Sequence, residues 1–212
     1  MKSEIKSAII LGLIVAIGIG VLSIVFATFD EQLVSTKYQT ETNSMDIDKS
    51  GFKKAPELLG IAHYLNTTPE KLNQEIENKV VLYDIWTYSC VNCVRTLPYI
   101  TSWYDKYSEQ GLSIIGIHSP EFEFEKISDN VKIAINKHGI NYPVVLDNDM
   151  ETWKAFENKY WPRKYIADHE GYIRYDHIGE GGYKETEKII QQLLDERSKA
   201  IGIQSTLDKQ LV

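Results

Sequence analysis

The spacing of apolar and polar positions divides the chain into parts of different kind. Residues 8–28 (AIILGLIVAIGIGVLSIVFAT) carry no charge and are long enough to cross a bilayer as a helix. Residues 30–54 are polar and mixed in charge, the composition of a tether. From Ala55 onward, short apolar runs alternate with stretches of helical spacing. A cap-then-proline start, Thr67-Thr68-Pro69, predicts a helix over 69–78, and the apolar run 79–86 predicts a buried strand. A helix over 91–109 follows, with Pro98 inside it and Gly111 just past it, and then a strand over 112–118. Ile127, Val131, Ile135 and His138 place a helix over 124–138; a strand is predicted over 142–146 and a helix over 151–158. Residues 163–167 and 172–178, joined by Glu170-Gly171, form a hairpin. A last helix over 185–199 packs through Ile189, Ile190, Leu193 and Leu194. Alternating strands and helices imply an α/β domain over 55–200, with a mixed sheet covered on both faces and a hairpin at one edge. Residues 1–29 are then an anchor, 30–54 a linker and 201–212 a tail.

Charge orients the first segment. Lys2 and Lys6 precede it and Asp30 and Glu31 follow, so the positive-inside bias leaves the domain outside the cytoplasmic membrane. Val25-Phe26-Ala27 offers small residues for a signal-peptidase cut, but the apolar core exceeds the usual ~7–15 residues of a signal peptide. The length favours a retained single-pass anchor with the N-terminus inside. A net charge of −7 and no isolated Lys/Arg cluster argue against nucleic-acid binding. Gly179-Glu180-Gly181-Gly182 is a turn, since no helix-opening Lys-Ser/Thr follows it as a phosphate loop requires.

Cys90 and Cys93 are the 2 cysteines of the chain, and they follow the apolar run directly. At a strand-to-helix junction the first thiol meets the unpaired N–H groups and positive dipole end of the helix, which favour a thiolate. The second lies one turn on along the same face, where it can attack a mixed disulfide formed by the first. A purely structural bridge is the weaker reading, because closing a loop of about four residues restrains the unfolded chain by only roughly 2 kcal/mol. Half a zinc site lacks its other ligands, the 5 histidines being scattered. A pair of reduced core cysteines is the remaining alternative. Asp84 interrupts the apolar strand just before them, and a carboxylate deprived of water has its pKa raised.

Over residues 55–199 the chain resembles the thioredoxin superfamily, in particular its membrane-anchored extracytoplasmic TlpA-like and DipZ-like branch. The resemblance rests on Asp84-Ile85-Trp86-Thr87-Tyr88-Ser89-Cys90, on Pro98 five residues past Cys93, on Trp161-Pro162 before the strand Lys164-Tyr165-Ile166-Ala167, and on Ala55-Pro56-Glu57-Leu58 with Tyr64-Leu65-Asn66. It implies a thioredoxin-like fold and a protein thiol–disulfide oxidoreductase whose only redox group is the Cys90–Cys93 disulfide, with no metal or other cofactor. Cys90 attacks, Cys93 resolves and Asp84 serves as the general base. Pro162 is the family's cis-proline, and the Trp161-Pro162 loop receives the substrate chain. Arg163 stands where a small polar residue is usual, and Val91-Asn92 replaces the Gly-Pro of cytoplasmic thioredoxin. Glu121 aligns with a strand-end glutamate that some cytochrome c maturation relatives hold near their cysteines, although a solvated loop acid fits it equally. Partners implied are protein thiols and disulfides, with electrons from a polytopic membrane carrier of the CcdA/DsbD kind, in cytochrome c maturation or disulfide repair.

Two other functions compete. A peroxiredoxin-like thiol peroxidase is suggested by Thr87, three before Cys90, but Tyr83 stands where its signature proline belongs. A membrane-tethered binding domain with incidental cysteines is the non-enzymatic alternative. The anchor has a direct check: the full-length chain is expected to stay with the membrane pellet through a carbonate wash, and its release would rule the anchor out.

Overall fold

The computed structural model describes residues 48–202. The segments 1–29 and most of 30–54 and 201–212 lie outside that range. Among the described residues, no helix is long and apolar enough to cross a membrane.

Six strands form one sheet: β1 (His63–Leu65), β2 (Val80–Trp86), β3 (Leu112–His118), β4 (Val144–Leu146), β5 (Arg163–Ala167) and β6 (Ile173–Ile178), in the order β1-β4-β3-β2-β5-β6. β2, β3 and β4 run parallel, while β1, β5 and β6 pair antiparallel. β2 and β3 are buried at every position, which central parallel strands covered on both faces require. On one face Leu82 and Trp86 pack with Leu97 and Ile100 of α2 (Val91–Tyr107), Val131 of α3 (Ser128–Lys137) and Ile190 of α5 (Tyr183–Ala200). On the other, Val81, Tyr83 and Ile85 pack with Leu72 of α1 (Pro69–Ile76) and Phe156 beyond α4 (Glu151–Ala155).

The helix starts follow their local chemistry. Thr68 caps α1 by accepting from the Lys71 N–H at 3.4 Å, and Pro69 opens the first turn, where its missing N–H is not needed. The helix expected over 124–138 is broken: a 3₁₀ turn covers Glu123–Lys126, and α3 starts only after Ile127. Ile127 is exposed, not part of the packing stripe. The break follows from Glu125, whose carboxylate folds back to accept from the Glu121 and Phe122 N–H groups at 2.6 and 2.9 Å. β1 has three residues, too few for a periodic signal, and exists through its pairing with β4.

Residues 48–54, polar enough to read as linker, join the domain. The Ile173 N–H donates to Lys53 O at 2.9 Å, Lys54 bridges Tyr172, and Lys49 lies 3.0 Å from Asp168. Charged side chains that pair and backbone that adds to a hairpin leave no mark in hydropathy.

Candidate active site

β2 ends at Trp86, and the turn Thr87-Tyr88-Ser89 delivers Cys90 to the N-cap of α2. Cys90 is half-buried, and its Sγ accepts the Cys93 N–H at 3.3 Å, one of the donors a helix start leaves unpaired. Cys93, fully buried, packs with Leu97 and Trp86. Both are free thiols. Burial pushes the Cys93 thiol well up, and the hydrogen bond to Cys90 and the nearby Asp84 charge push it further. The two sulfurs therefore differ in kind: the outer one is half-buried and accepts one amide N–H, the inner one is buried and keeps its proton.

Asp84 lies on the α2 side of β2, with Leu82 and Trp86, and is wholly buried. Neither carboxylate oxygen has a hydrogen-bond partner. Burial pushes its pKa up to about 7, against the pull of Lys164. Lys164 is also wholly buried, directly opposite Asp84 in the antiparallel β2–β5 register. Nothing in the apolar spacing of 163–167 marks it as interior.

A second buried acid, Glu125, secures the turn before Cys90. The Thr87 and Ser89 hydroxyls donate to its Oε1, the latter at 2.6 Å, and the Glu121 and Phe122 amides donate to its Oε2. Burial opposes its charge, but these hydrogen bonds hold the carboxyl below the ordinary range. With its hydroxyl committed to Glu125, Thr87 does not serve Cys90 as a peroxidatic threonine would. His118 stacks on Tyr88 with ring centroids 5.6 Å apart. Burial draws its pKa down to about 4, so the ring is neutral, and its Nε2 accepts the Tyr88 N–H at 3.4 Å.

The Trp161–Pro162 peptide bond is cis. Trp161 is held from two sides, its Nε1 donating to Ser119 O at 3.0 Å and its ring against Trp153 at 4.1 Å. Trp161, Tyr88 and Cys90 border the same buried cluster. Arg163 turns away to Asp176, at 2.6 Å. Among the described residues, no group of three or more His, Cys, Asp or Glu side chains is placed to hold a metal ion.

A model of the Redoxin family matches residues 49–194, which is most of the chain. The chain belongs to the redoxin family. This redoxin is 42% identical over 151 residues to Protein DipZ of Mycobacterium tuberculosis, covering 70% of this chain and 22% of DipZ, so it spans about a fifth of that relative's length. It is 34% identical over 143 residues to the thiol-disulfide oxidoreductase YkuV of Bacillus subtilis, covering 66% of this chain and 94% of YkuV. A thioredoxin-like protein solved in solution in its oxidized form superposes with a TM-score of 0.61 at 32% identity, covering 69% of this chain and 98% of that one. The fold is thus thioredoxin-like.

Of the side chains singled out from the sequence, the redoxin fold gathers Cys90, Cys93 and Asp84 around the start of α2, with Trp161 at the edge of the same cluster. Glu121 is not among them. Its side chain is exposed, and the acid that contacts the cysteine loop is Glu125, four residues on. Lys164 and Glu125 were not legible beforehand: the first sits in a short strand of mixed polarity, the second in a stretch whose spacing looked helical.

The buried Asp84 has a measurable signature. Its folded pKa lies above the unfolded value, so the stability it allows is full below about pH 4 and is lost as pH rises through about 7. Asp84→Asn removes that loss. The melting temperature of the full-length variant, relative to the native chain, is expected to climb between pH 4 and pH 8, by an amount corresponding to a few kcal/mol. A flat difference would show that Asp84 titrates as a solvated carboxylate.

Proposed function

We propose that this redoxin is a protein thiol–disulfide oxidoreductase, held by its N-terminal segment on the outer face of the cytoplasmic membrane. The observation that carries the reading is the asymmetry of the two sulfurs. Cys90 stands at a helix N-terminus at the surface, while Cys93 lies buried under it with its proton held, close to a carboxyl group pushed up to about 7. The names of YkuV and its like support the same chemistry.

The exchange then runs in two steps. The Cys90 thiolate attacks one sulfur of a client disulfide. A Cys90–client disulfide forms, and the other client sulfur leaves as a thiolate that takes a proton from solvent. Asp84 as carboxylate takes the Cys93 proton, and the Cys93 thiolate attacks Cys90 Sγ. The Cys90–Cys93 disulfide forms and the second client sulfur leaves. Two electrons have passed to the client, and an external dithiol returns the pair to its reduced form. A membrane carrier of the CcdA/DsbD kind suits that donor role. Clients in cytochrome c maturation fit the extracytoplasmic setting. The Trp161-Pro162 loop is where the client backbone would lie. No cofactor beyond the cysteine pair enters this scheme.

Variant trapping tests the assignment. In the full-length chain, Cys93→Ala should accumulate client proteins linked to Cys90 and released by reductant, and Cys90→Ser should accumulate none. Equal trapping by both variants would sink the proposed order of attack. A pair potential near about −270 mV is expected for a reductant, whereas one near about −120 mV would reverse the direction of electron flow.

A further inference from the structure

Phe122 and Phe124 belong to neither buried cluster, and no step of the exchange above uses them. They are 48% and 49% exposed, in a loop that could close with polar residues alone. Single apolar side chains on a surface are ordinary, but adjoining ones mark a place of contact. Here the two rings stack with centroids 5.5 Å apart, and Tyr88 meets Phe124 edge-on at 6.2 Å. The three side chains form one apolar ridge, and it begins two residues before Cys90.

The ridge is held from beneath. Tyr88 Oη and Asn130 Nδ2 both donate to the Phe124 carbonyl oxygen, at 3.2 and 3.0 Å. One oxygen of Glu125 accepts from the Glu121 and Phe122 amides, and the other accepts from the Thr87 and Ser89 hydroxyls. A buried carboxylate thus fixes the phenylalanines and the cysteine turn as one body, so little ordering is left for binding to cost. The segment that bears them starts at Ser119, whose carbonyl oxygen accepts from Trp161 Nε1 at 3.0 Å. The ridge therefore continues from the Trp161-Pro162 loop.

Resting on the oxidoreductase reading, we propose that Tyr88, Phe124 and Phe122 dock an extended stretch of client polypeptide, one with an aromatic or large aliphatic side chain three to five residues from its reacting cysteine and basic residues close by. Chemistry at Cys90 decides what covers the ridge. Whatever exchanges a disulfide with that sulfur lays the residues flanking its own cysteine on the surface around it. An extended chain advances about 3.3 Å per residue, so the two steps from ring to ring take up roughly three to four residues. Charge narrows the partner further. Glu121 and Glu123 flank Phe122 on the surface, and Lys126, the one cation between positions 121 and 126, is tied to Glu123 at 2.7 Å. Such a rim favours Lys or Arg in the client and repels the anionic headgroups of a membrane. Three side chains also fall far short of the roughly 800 Å² per partner that a lasting pair of copies buries.

The test reads peptide preference at Cys90. In the full-length chain carrying Cys93→Ala, Cys90 is loaded with 5-thio-2-nitrobenzoate as a mixed disulfide. A peptide thiolate attacks Cys90 Sγ, the Cys90–peptide disulfide forms and the chromophore leaves as its thiolate, so its colour gives the second-order rate. Lysine-bearing peptides with a single cysteine carry Phe or Asn three, four or five residues to either side of it. On one side, a Phe peptide should react about tenfold faster than its Asn counterpart. That ratio should fall below about twofold in Phe122→Ser/Phe124→Ser. It should keep its full value in Phe52→Ala, which removes a ring beside Arg174 at the opposite end of the sheet. A ratio near one at every spacing, or one that survives the loss of both rings, overturns the proposal. Should the double variant not fold, Phe122→Ser alone should at least halve the ratio, and an unchanged ratio there overturns it too. If Cys90 takes up no chromophore, the oxidoreductase reading fails, and the ridge is decided by the carbon-13 ring signals of Phe122 and Phe124 in the full-length chain in micelles. Titrated with the Phe peptide bearing serine for cysteine, those signals should shift; signals that stay still, or that answer only to added lipid or to protein concentration, overturn the proposal.

Discussion

Between Val80 and Trp86 the chain crosses the centre of the sheet under apolar cover on both faces, so Asp84 is shut off from the surface and no protein donor meets its carboxylate. A strand in that position ordinarily excludes ionisable groups. Holding one there costs folding free energy at neutral pH, and the return on that cost is a carboxyl group that exchanges protons near physiological pH. The fold that surrounds it, with two helical layers and a strand on either side, is what keeps solvent away. Function and stability are set against each other at this one residue.

Glu125 shows the opposite use of the same functional group. It is as buried as Asp84, yet four donors converge on it, and it stays charged. It ties the segment after β3 to the turn that carries Cys90, fixing Ser89 beside the thiol. One carboxylate is starved of partners and titrates; the other is saturated and holds shape. Environment alone assigns the two roles.

Much of this was readable from residue order, for identifiable reasons. Long apolar runs and capped helices have local causes, so β2, β3, α1, α2 and α5 could be placed to within a few residues. The cysteine pair and Asp84 were visible because each breaks its surroundings, a thiol pair in a chain otherwise free of cysteine and an acid in a strand of Val, Leu and Ile. Lys164, Glu125, β1 and the packing of residues 48–54 were not visible. Each depends on a partner distant in the chain: Asp84 across a ladder, Thr87 and Ser89 across a loop, β4 for β1, and Asp168 and Tyr172 for the leading segment. Spacing of apolar residues reports on local periodicity and is blind to such long-range polar pairing.

The leading segment has one more effect. A sheet ends in two outer strands whose free backbone groups invite pairing with any extended chain. Here β6 is crossed at its start by the Lys54–Tyr172 bridge, and Arg174, held between Asp168 and Glu196, lies against Phe52. The opposite border, β1, offers three residues. Among the described residues, both borders of the sheet are thereby poor templates for the addition of a further strand from another chain.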